Sequence, residues 1–474
     1  MSERRPSRGV LAVAALLLLL LVATSGRYGY HRDELYFLAA GHHLAWGYPD
    51  LPPLVPLLAR LADEIAPGSL VVLRLPSALA MTALVLVTDQ TARVLGADRR
   101  GRLLASAFIA VAGFPLALGH LLSTATFGLL GWAVALLLMA SLLMDGGVGR
   151  RRWIALGLVV GLTAQANVLV GVLPLVVAAG VLAVGPRRLL LRWEAAGAAA
   201  IAVACVAPYL VWQAHHGWPQ LEVARGISAG SSGTSEPRWL VLPLFVLQSG
   251  PWLLPVVLAG CRVLARRPEI RALAAGAALL VALVLVGGGK PYYLAGFLPL
   301  LLAAGATVAW KPWAGRAMVA LSLPALLFVL PVLPVEDAGT AIAVNADAGE
   351  TIGWPAYVDQ IAAAYQVASP GTQILTGNYG EAGAIDRFGP SRGLPRAFSG
   401  HLGYAAWGHP SSSTVLTVGL TRADLLESFA RVESLGSLAT PHGIDNDEDG
   451  APLFLCSEPL APWPVLWPRF ERDR

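Results

Sequence analysis

Apolar residues run along this chain in blocks of roughly membrane-spanning length, separated by short connections rich in arginine. About 20 mostly apolar residues carry a helix across a bilayer. That template predicts eleven spans, near 9–25, 70–94, 103–119, 123–144, 153–169, 171–185, 195–213, 239–262, 271–287, 292–309 and 315–333. Only a break from Asn167 to Gly171 divides the pair at 153–185. Two further stretches, 34–46 and 54–65, have helical periodicity but are too short to span, which predicts amphipathic helices along the interface. Between them Gly47-Tyr48-Pro49-Asp50-Leu51-Pro52-Pro53 must turn, because proline breaks a helix interior. Beyond residue 335 the apolar blocks give way to short alternating elements. Helices are predicted at 357–366 and 422–430, and strands at 373–376, 414–418, 432–439 and 453–456, with a turn at Gly377-Asn378. The expected architecture is a helical membrane domain over 1–334, with an outer loop at 26–69, and a small α/β soluble domain over 335–474.

Composition agrees: 56% of residues are hydrophobic and 14% charged, where a soluble domain carries roughly 25% charged. A cytosolic enzyme, a disordered chain and a disulfide scaffold are excluded, since Cys205, Cys261 and Cys456 lie mostly in or beside apolar spans. The net charge of +4 gives no reason to expect nucleic acid. The placement of charge matters more, because Lys and Arg favour cytoplasmic loops. With the N-terminus inside, alternate connections hold eighteen basic residues and the opposite ones seven. The soluble domain then lies outside the cytoplasmic membrane. The run at 10–24 also has the form of a secretory signal ending near 23–26. The dominance of Arg, Ala, Gly and Pro fits a GC-rich bacterial genome.

Candidate chemistry sits on the outer side. Arg32-Asp33-Glu34 follows the first span, where a carboxylate is either employed or solvated. One acid here can be a general base, or Asp33 can cap the interfacial helix. Gly287-Gly288-Gly289-Lys290-Pro291-Tyr292-Tyr293 forms an outer mouth with the only outward lysine. A lysine beside backbone N–H groups suits a phosphate; the same segment also suits an interfacial anchor with an aromatic belt. His42, His43, His215, His216, His401 and His409 fall outside, but no pair has zinc spacing. No metal ligand set is assigned and no cofactor is expected, although a divalent metal stays open. Trp218 and Trp354 are placed to stack on a sugar face.

His31-Arg32-Asp33-Glu34-Leu35-Tyr36-Phe37, the Gly47–Leu54 run, Trp212-Gln213-Ala214-His215-His216-Gly217-Trp218-Pro219 and Lys290-Pro291-Tyr292-Tyr293-Leu294 together resemble the bacterial family 39 glycosyltransferases. These belong to the GT-C superfamily, with protein O-mannosyltransferases and lipid A aminoarabinose transferases. Gly349-Glu350-Thr351-Ile352-Gly353-Trp354-Pro355 and Thr376-Gly377-Asn378-Tyr379-Gly380-Glu381 agree. The resemblance implies a bacterial membrane enzyme that moves a sugar from a polyprenyl-phosphate donor to a hydroxyl of a lipid, glycan or protein acceptor, with inversion. It implies Asp33 as general base and Glu34 as its neighbour. Lys290, Arg74, Tyr292 and Tyr293 would serve the donor phosphate, and Asp50, His215, His216 and Trp218 the substrate. Three positions depart from the pattern. Gly128 stands where relatives carry an acid, Asn167 where they carry lysine, and Leu51 where they carry histidine. The alternative is a sugar- or lipid-binding membrane protein that kept the fold without turnover.

Overall fold

The computed structural model describes residues 5–228, 237–444 and 446–472. Helices occupy all eleven predicted positions. Leu70–Val94, Thr124–Met144, Trp193–His215 and Pro312–Val329 are long and apolar enough to cross a membrane alone, and the number rises to six when each bent pair counts once. The bent pairs are Arg99–Ala110 with Gly113–His120, at 56°, and Arg238–Ser249 with Pro251–Arg266, at 91°. The break expected near Asn167 is present: one helix ends at Ala164, and Asn167 Oδ1 accepts from Leu169 N to start a short 3-10 turn before Val172–Val184. In the second outer loop a helix, Pro219–Ser228, appears where none was predicted. The run at 228–235, whose Ser and Gly content predicts a flexible segment, lies outside the described residues beyond Ser228.

The Leu70–Val94 helix organises the bundle, packing against Arg8–Thr24, Arg99–Ala110 and Thr124–Met144. Charges within apolar surroundings must be paired, and this helix pairs one near each end. Arg74 meets Glu34, and Asp89 meets Arg102 with contacts of 2.8 and 2.6 Å. The two sites stand fifteen residues apart, ~22 Å along a helix.

Residues 373–459 build a five-stranded sheet from β1 (Gln373–Thr376), β2 (Ala397–Ser399), β3 (Thr414–Val418), β4 (Phe429–Ser437) and β5 (Pro452–Pro459), in the order β2-β1-β3-β5-β4. β1 pairs parallel with β2 and β3, while β5 runs antiparallel to β3 and β4. The crossover from β1 to β2 is a helix, Tyr379–Phe388, that the apolar pattern did not predict. Asn378 and Glu381 close a capping box at its start. The predicted helix at 422–430 stops at Leu426 because β4 takes over at Phe429.

The interfacial expectation fails for one outer helix and survives for the other. Arg32–His42 is buried from Glu34 through Gly41, and its Leu35, Tyr36 and Leu38 share a core with Val358, Ile374 and Ile385 of the sheet region. It is enclosed by protein instead of lying on lipid. Leu54–Ile65 buries Val55, Ala59 and Ala62 and exposes Leu57, Leu61 and Ile65 at four-residue intervals, a stripe suited to the interface. The outer helix and the crossover helix touch through small residues. A Cβ at Gly383 would stand 2.9 Å from Leu35 Cβ, and one at Gly380 would stand 3.0 Å from Arg32 Cβ. Gly383→Leu is therefore expected to pry the sheet region off the outer helix and to destabilise by about 1–3 kcal/mol, the usual overpacking range. A lowered thermal midpoint with faster proteolysis between residues 335 and 372 would register the change.

Candidate functional site

The outer helix begins with a device that aims its first two acids in different directions. His31 caps it, its Nδ1 accepting from Asp33 N at 3.2 Å, while Glu34 Oε2 accepts from His31 N at 2.9 Å. Glu34 thus points back into protein, and Asp33 points outward, its side chain 44% exposed.

Glu34 and Arg74 are both 0% exposed. The guanidinium donates to Glu34 through Nε at 2.9 Å and Nη2 at 2.7 Å. It also donates to Ser25 O at 2.8 Å and Gly29 O at 2.5 Å, and its Nη1 lies 3.4 Å from His120 Nε2. Leu122 N adds a fourth bond to Glu34 at 2.9 Å. Arg74 therefore has no donor left for a lipid phosphate. It ties together the end of the first span, the outer helix and the Leu70–Val94 helix, which corrects the expectation that it binds donor. Glu34 likewise has no free oxygen with which to meet an acceptor.

Asp33 faces a mixed wall. Tyr379 donates to its Oδ1 at 2.7 Å. Its Oδ2 lies 3.9 Å from His31 Nδ1. Neighbouring Arg32 is drawn away, to Asp447 Oδ2 at 2.5 Å and Glu350 Oε2 at 3.7 Å. Lys290 immediately precedes the 3-10 helix Pro291–Phe297 at the predicted mouth. Burial lowers its proton affinity, the Asp33 and Asp347 carboxylates oppose that, and Arg32 reinforces it. The two residues central to the sequence reading therefore share one electrostatic field.

Asp50 joins them from the predicted turn. Tyr36 donates to its Oδ1 at 2.7 Å and accepts from Gly403 N at 3.1 Å. Gln213 Nε2 holds Tyr48 O at 3.0 Å, and Gln165 O accepts from Leu54 N at 2.9 Å, so the turn is pinned from two spans. Burial pushes the Asp50 carboxyl up to about 7, with the Asp33 charge adding to it against the Tyr36 hydrogen bond.

A cavity of about 280 Å³ opens beside the Lys290 mouth, lined mostly by apolar groups from Thr124–Met144, Arg271–Gly287 and the 3-10 segments around them. Tyr292 and Tyr293 line it, as do two of the departing positions, Gly128 and Asn167. These two touch: a Cβ at Gly128 would stand 3.0 Å from Asn167 Nδ2. An acid at 128 and a cation at 167 would be direct neighbours, so their joint absence leaves an uncharged wall instead of one broken pair.

His216 stacks on Trp212 at 3.9 Å, His215 is exposed and Trp218 is 42% exposed. Among the described residues none of His215, His216 and Trp218 has a hydrogen bond or ring contact with Asp33. Also among the described residues, no group of three His, Cys, Asp or Glu side chains is placed to hold a metal ion. Tyr36 and Tyr379 are the polar groups at the site that sequence reasoning missed. The Asn378-x-x-Glu381 capping signature would have placed Tyr379 at a helix start.

The class is now defined: a helical membrane bundle with one enclosed and one interfacial outer helix and a C-terminal sheet, carrying an acid, a lysine and an apolar cavity. Residues 50–212 match the model of the dolichyl-phosphate-mannose-protein mannosyltransferase family. The fold is similar to that of ArnT from Cupriavidus metallidurans bound to undecaprenyl phosphate, at 15% identity and a TM-score of 0.62, over 94% of this chain and 97% of that one. The same protein in its apo state matches at 14% identity and a TM-score of 0.61, over the same shares of the two chains. No curated protein matches the chain. The expected architecture, a helical bundle with apolar spans and a small C-terminal sheet region, is the fold shared with the ArnT structure.

Two outcomes follow. Arg74→Ala is expected to destabilise by about 3–5 kcal/mol, because it strands a buried carboxylate; thermal unfolding in detergent measures it. Folding favours the protonated Asp50 carboxyl, a contribution present below its ordinary value and lost as pH rises through about 7. Asp50→Asn should therefore stabilise the protein at pH 8, with an advantage that shrinks as pH falls below about 7 and disappears only below the ordinary value of 3.8, in parallel melts across pH.

Proposed function

We propose that this chain is a glycosyltransferase of the bacterial cytoplasmic membrane, moving a sugar from a polyprenyl-phosphate donor to an acceptor hydroxyl with inversion. The observation that supports the reading is the half-exposed Asp33 carboxylate held by Tyr379, together with the Lys290 mouth, whose neighbours Gly289 and Tyr292 line an apolar cavity. With the eleven spans expected from the sequence, the N-terminus lies in the cytoplasm and residues 335–474 outside, a reading supported by the arginine distribution.

Asp33, on its exposed side, takes the proton of the acceptor hydroxyl as that oxygen bonds to the anomeric carbon. The bond from that carbon to the phosphate oxygen breaks, and the lipid phosphate leaves with the electron pair. Lys290 offsets its charge, an effect that strengthens where water is sparse. Tyr292 and Tyr293 flank the donor where the lipid enters the cavity. Asp50, fixed by Tyr36, faces the acceptor. The uncharged wall at Gly128 and Asn167 favours a neutral group in the cavity. It is also the feature that would suit the rival reading, a binding protein without turnover.

Asp33→Asn should lower transfer by roughly 10²–10⁴-fold while the protein still binds polyprenyl-phosphate sugar. Assays with a panel of polyprenyl-phosphate-linked hexoses and pentoses would check this, and unchanged transfer would remove the proposed base. Lys290→Ala should weaken binding of polyprenyl-phosphate mannose at least tenfold, about 1.4 kcal/mol, and leave binding of free mannose unaltered. Equal losses for both would argue against phosphate contact.

A further inference from the structure

The C-terminal sheet region reaches the candidate base through one side chain. Tyr379 stands at the first position of the crossover helix, just past the carboxyl end of β1, where open α/β sheets place their working groups. Its ring lies between two others, with centroids 4.9 Å from Tyr36 and 4.9 Å from His401. The phenol is held so that its O–H meets Asp33 Oδ1 at 2.7 Å. Glycine at 380 and 383 lets the helix come close enough for that reach, because any larger residue would strike Arg32 or Leu35.

We infer that Tyr379 is a positioning residue for Asp33: it occupies one carboxylate oxygen and fixes the rotamer, leaving Oδ2 to receive the acceptor proton. The inference rests on the reading of Asp33 as base. Burial, and the Asp33 charge beside it, push the Tyr379 phenol well above its ordinary value, so it stays a donor throughout the working pH range. Such a bond favours the ionised carboxylate and holds its geometry before substrate arrives. A two-oxygen acid with one oxygen committed has a single direction of attack, which a freely rotating aspartate lacks.

The groups facing Asp33 come from every surrounding element. His31 and Arg32 belong to its own helix and Asp50 to the following turn. Lys290 and Tyr292 stand at the outer mouth, and Tyr379 and His401 come from the sheet region. Burial and Arg472 push His401 down to about 4, with Arg32 adding to it and Asp33 opposing, so His401 stays neutral near pH 7. Among these groups Tyr379 alone donates a side-chain hydrogen bond to Asp33 in the described residues.

The test uses the full chain in detergent and reads Asp33 directly by pH-titrated difference infrared spectroscopy, the band being the carboxyl signal that Asp33→Asn deletes. In Tyr379→Phe, which keeps the ring, that band is expected to move. Its C=O frequency should rise as the hydrogen bond is lost. Tyr404→Phe removes a comparable buried bond, to Asp386 at 2.9 Å, and should leave the band where it was. With polyprenyl-phosphate mannose as donor, or whichever member of the panel is turned over, kcat in Tyr379→Phe should fall about tenfold, with KM for donor unchanged. An unmoved band in Tyr379→Phe overturns the inference, as does an equal shift in Tyr404→Phe. A moved band with full transfer in Asp33→Asn keeps the bond but sinks its catalytic meaning, and with it the base itself. Loss of transfer in Asp33→Asn beside unaltered turnover in Tyr379→Phe leaves the base standing and removes only the positioning role.

Discussion

Everything at the outer face depends on one buried ion pair. Glu34 and Arg74 are sealed from solvent, and their mutual attraction must exceed the cost of taking two charges out of water. It does so because both partners are saturated: the carboxylate also holds two backbone N–H groups, and the guanidinium also holds two carbonyls. A pair so closed cannot slide. It fixes where the first span ends, where the outer helix begins and how the Leu70–Val94 helix stands beside both. Since Glu34 is bound inward, the residue before it must face the other way, and that residue is Asp33.

The outer helix then acts as a hinge plate between two cores. Its inner acid is rooted in the membrane bundle, while its apolar face completes the core under the sheet. Division into a membrane domain and an appended soluble domain therefore understates the contact, since residues 30–62 and 354–453 bury their apolar side chains together. The exposed acid, the lysine of the outer mouth, the turn aspartate and a tyrosine of the sheet region converge where the two cores meet.

What the sequence made legible was whatever local periodicity encodes. Apolar runs located the helices, and alternating short elements located β1 and β3 to the residue. The Tyr379–Phe388 helix escaped because its two glycines depress helix propensity; they are there to admit Arg32 and Leu35, a reason that lies more than 300 residues away in the chain. Burial of the outer helix escaped for the same cause, its cover being supplied by distant segments. Arg74 was misread since a single arginine at an outer helix end looks available, and its partner forty positions earlier carries no local signal. Gly128 and Asn167 were seen as departures, but only the fold shows that they face each other.

The central claim is that the lipid phosphate docks at Lys290 with the sugar turned toward Asp33. The most direct measurement is a structure of the full chain with a polyprenyl-phosphonate sugar that cannot be cleaved. The account predicts the phosphonate in contact with Lys290 Nζ, the first prenyl units in the cavity bounded by Tyr293 and Gly128, and the anomeric carbon facing the Asp33 carboxylate. A phosphonate seated without contact to Lys290, for example in the second cavity, lined by His42, His43, Asp63, Arg387 and Arg396, would contradict it.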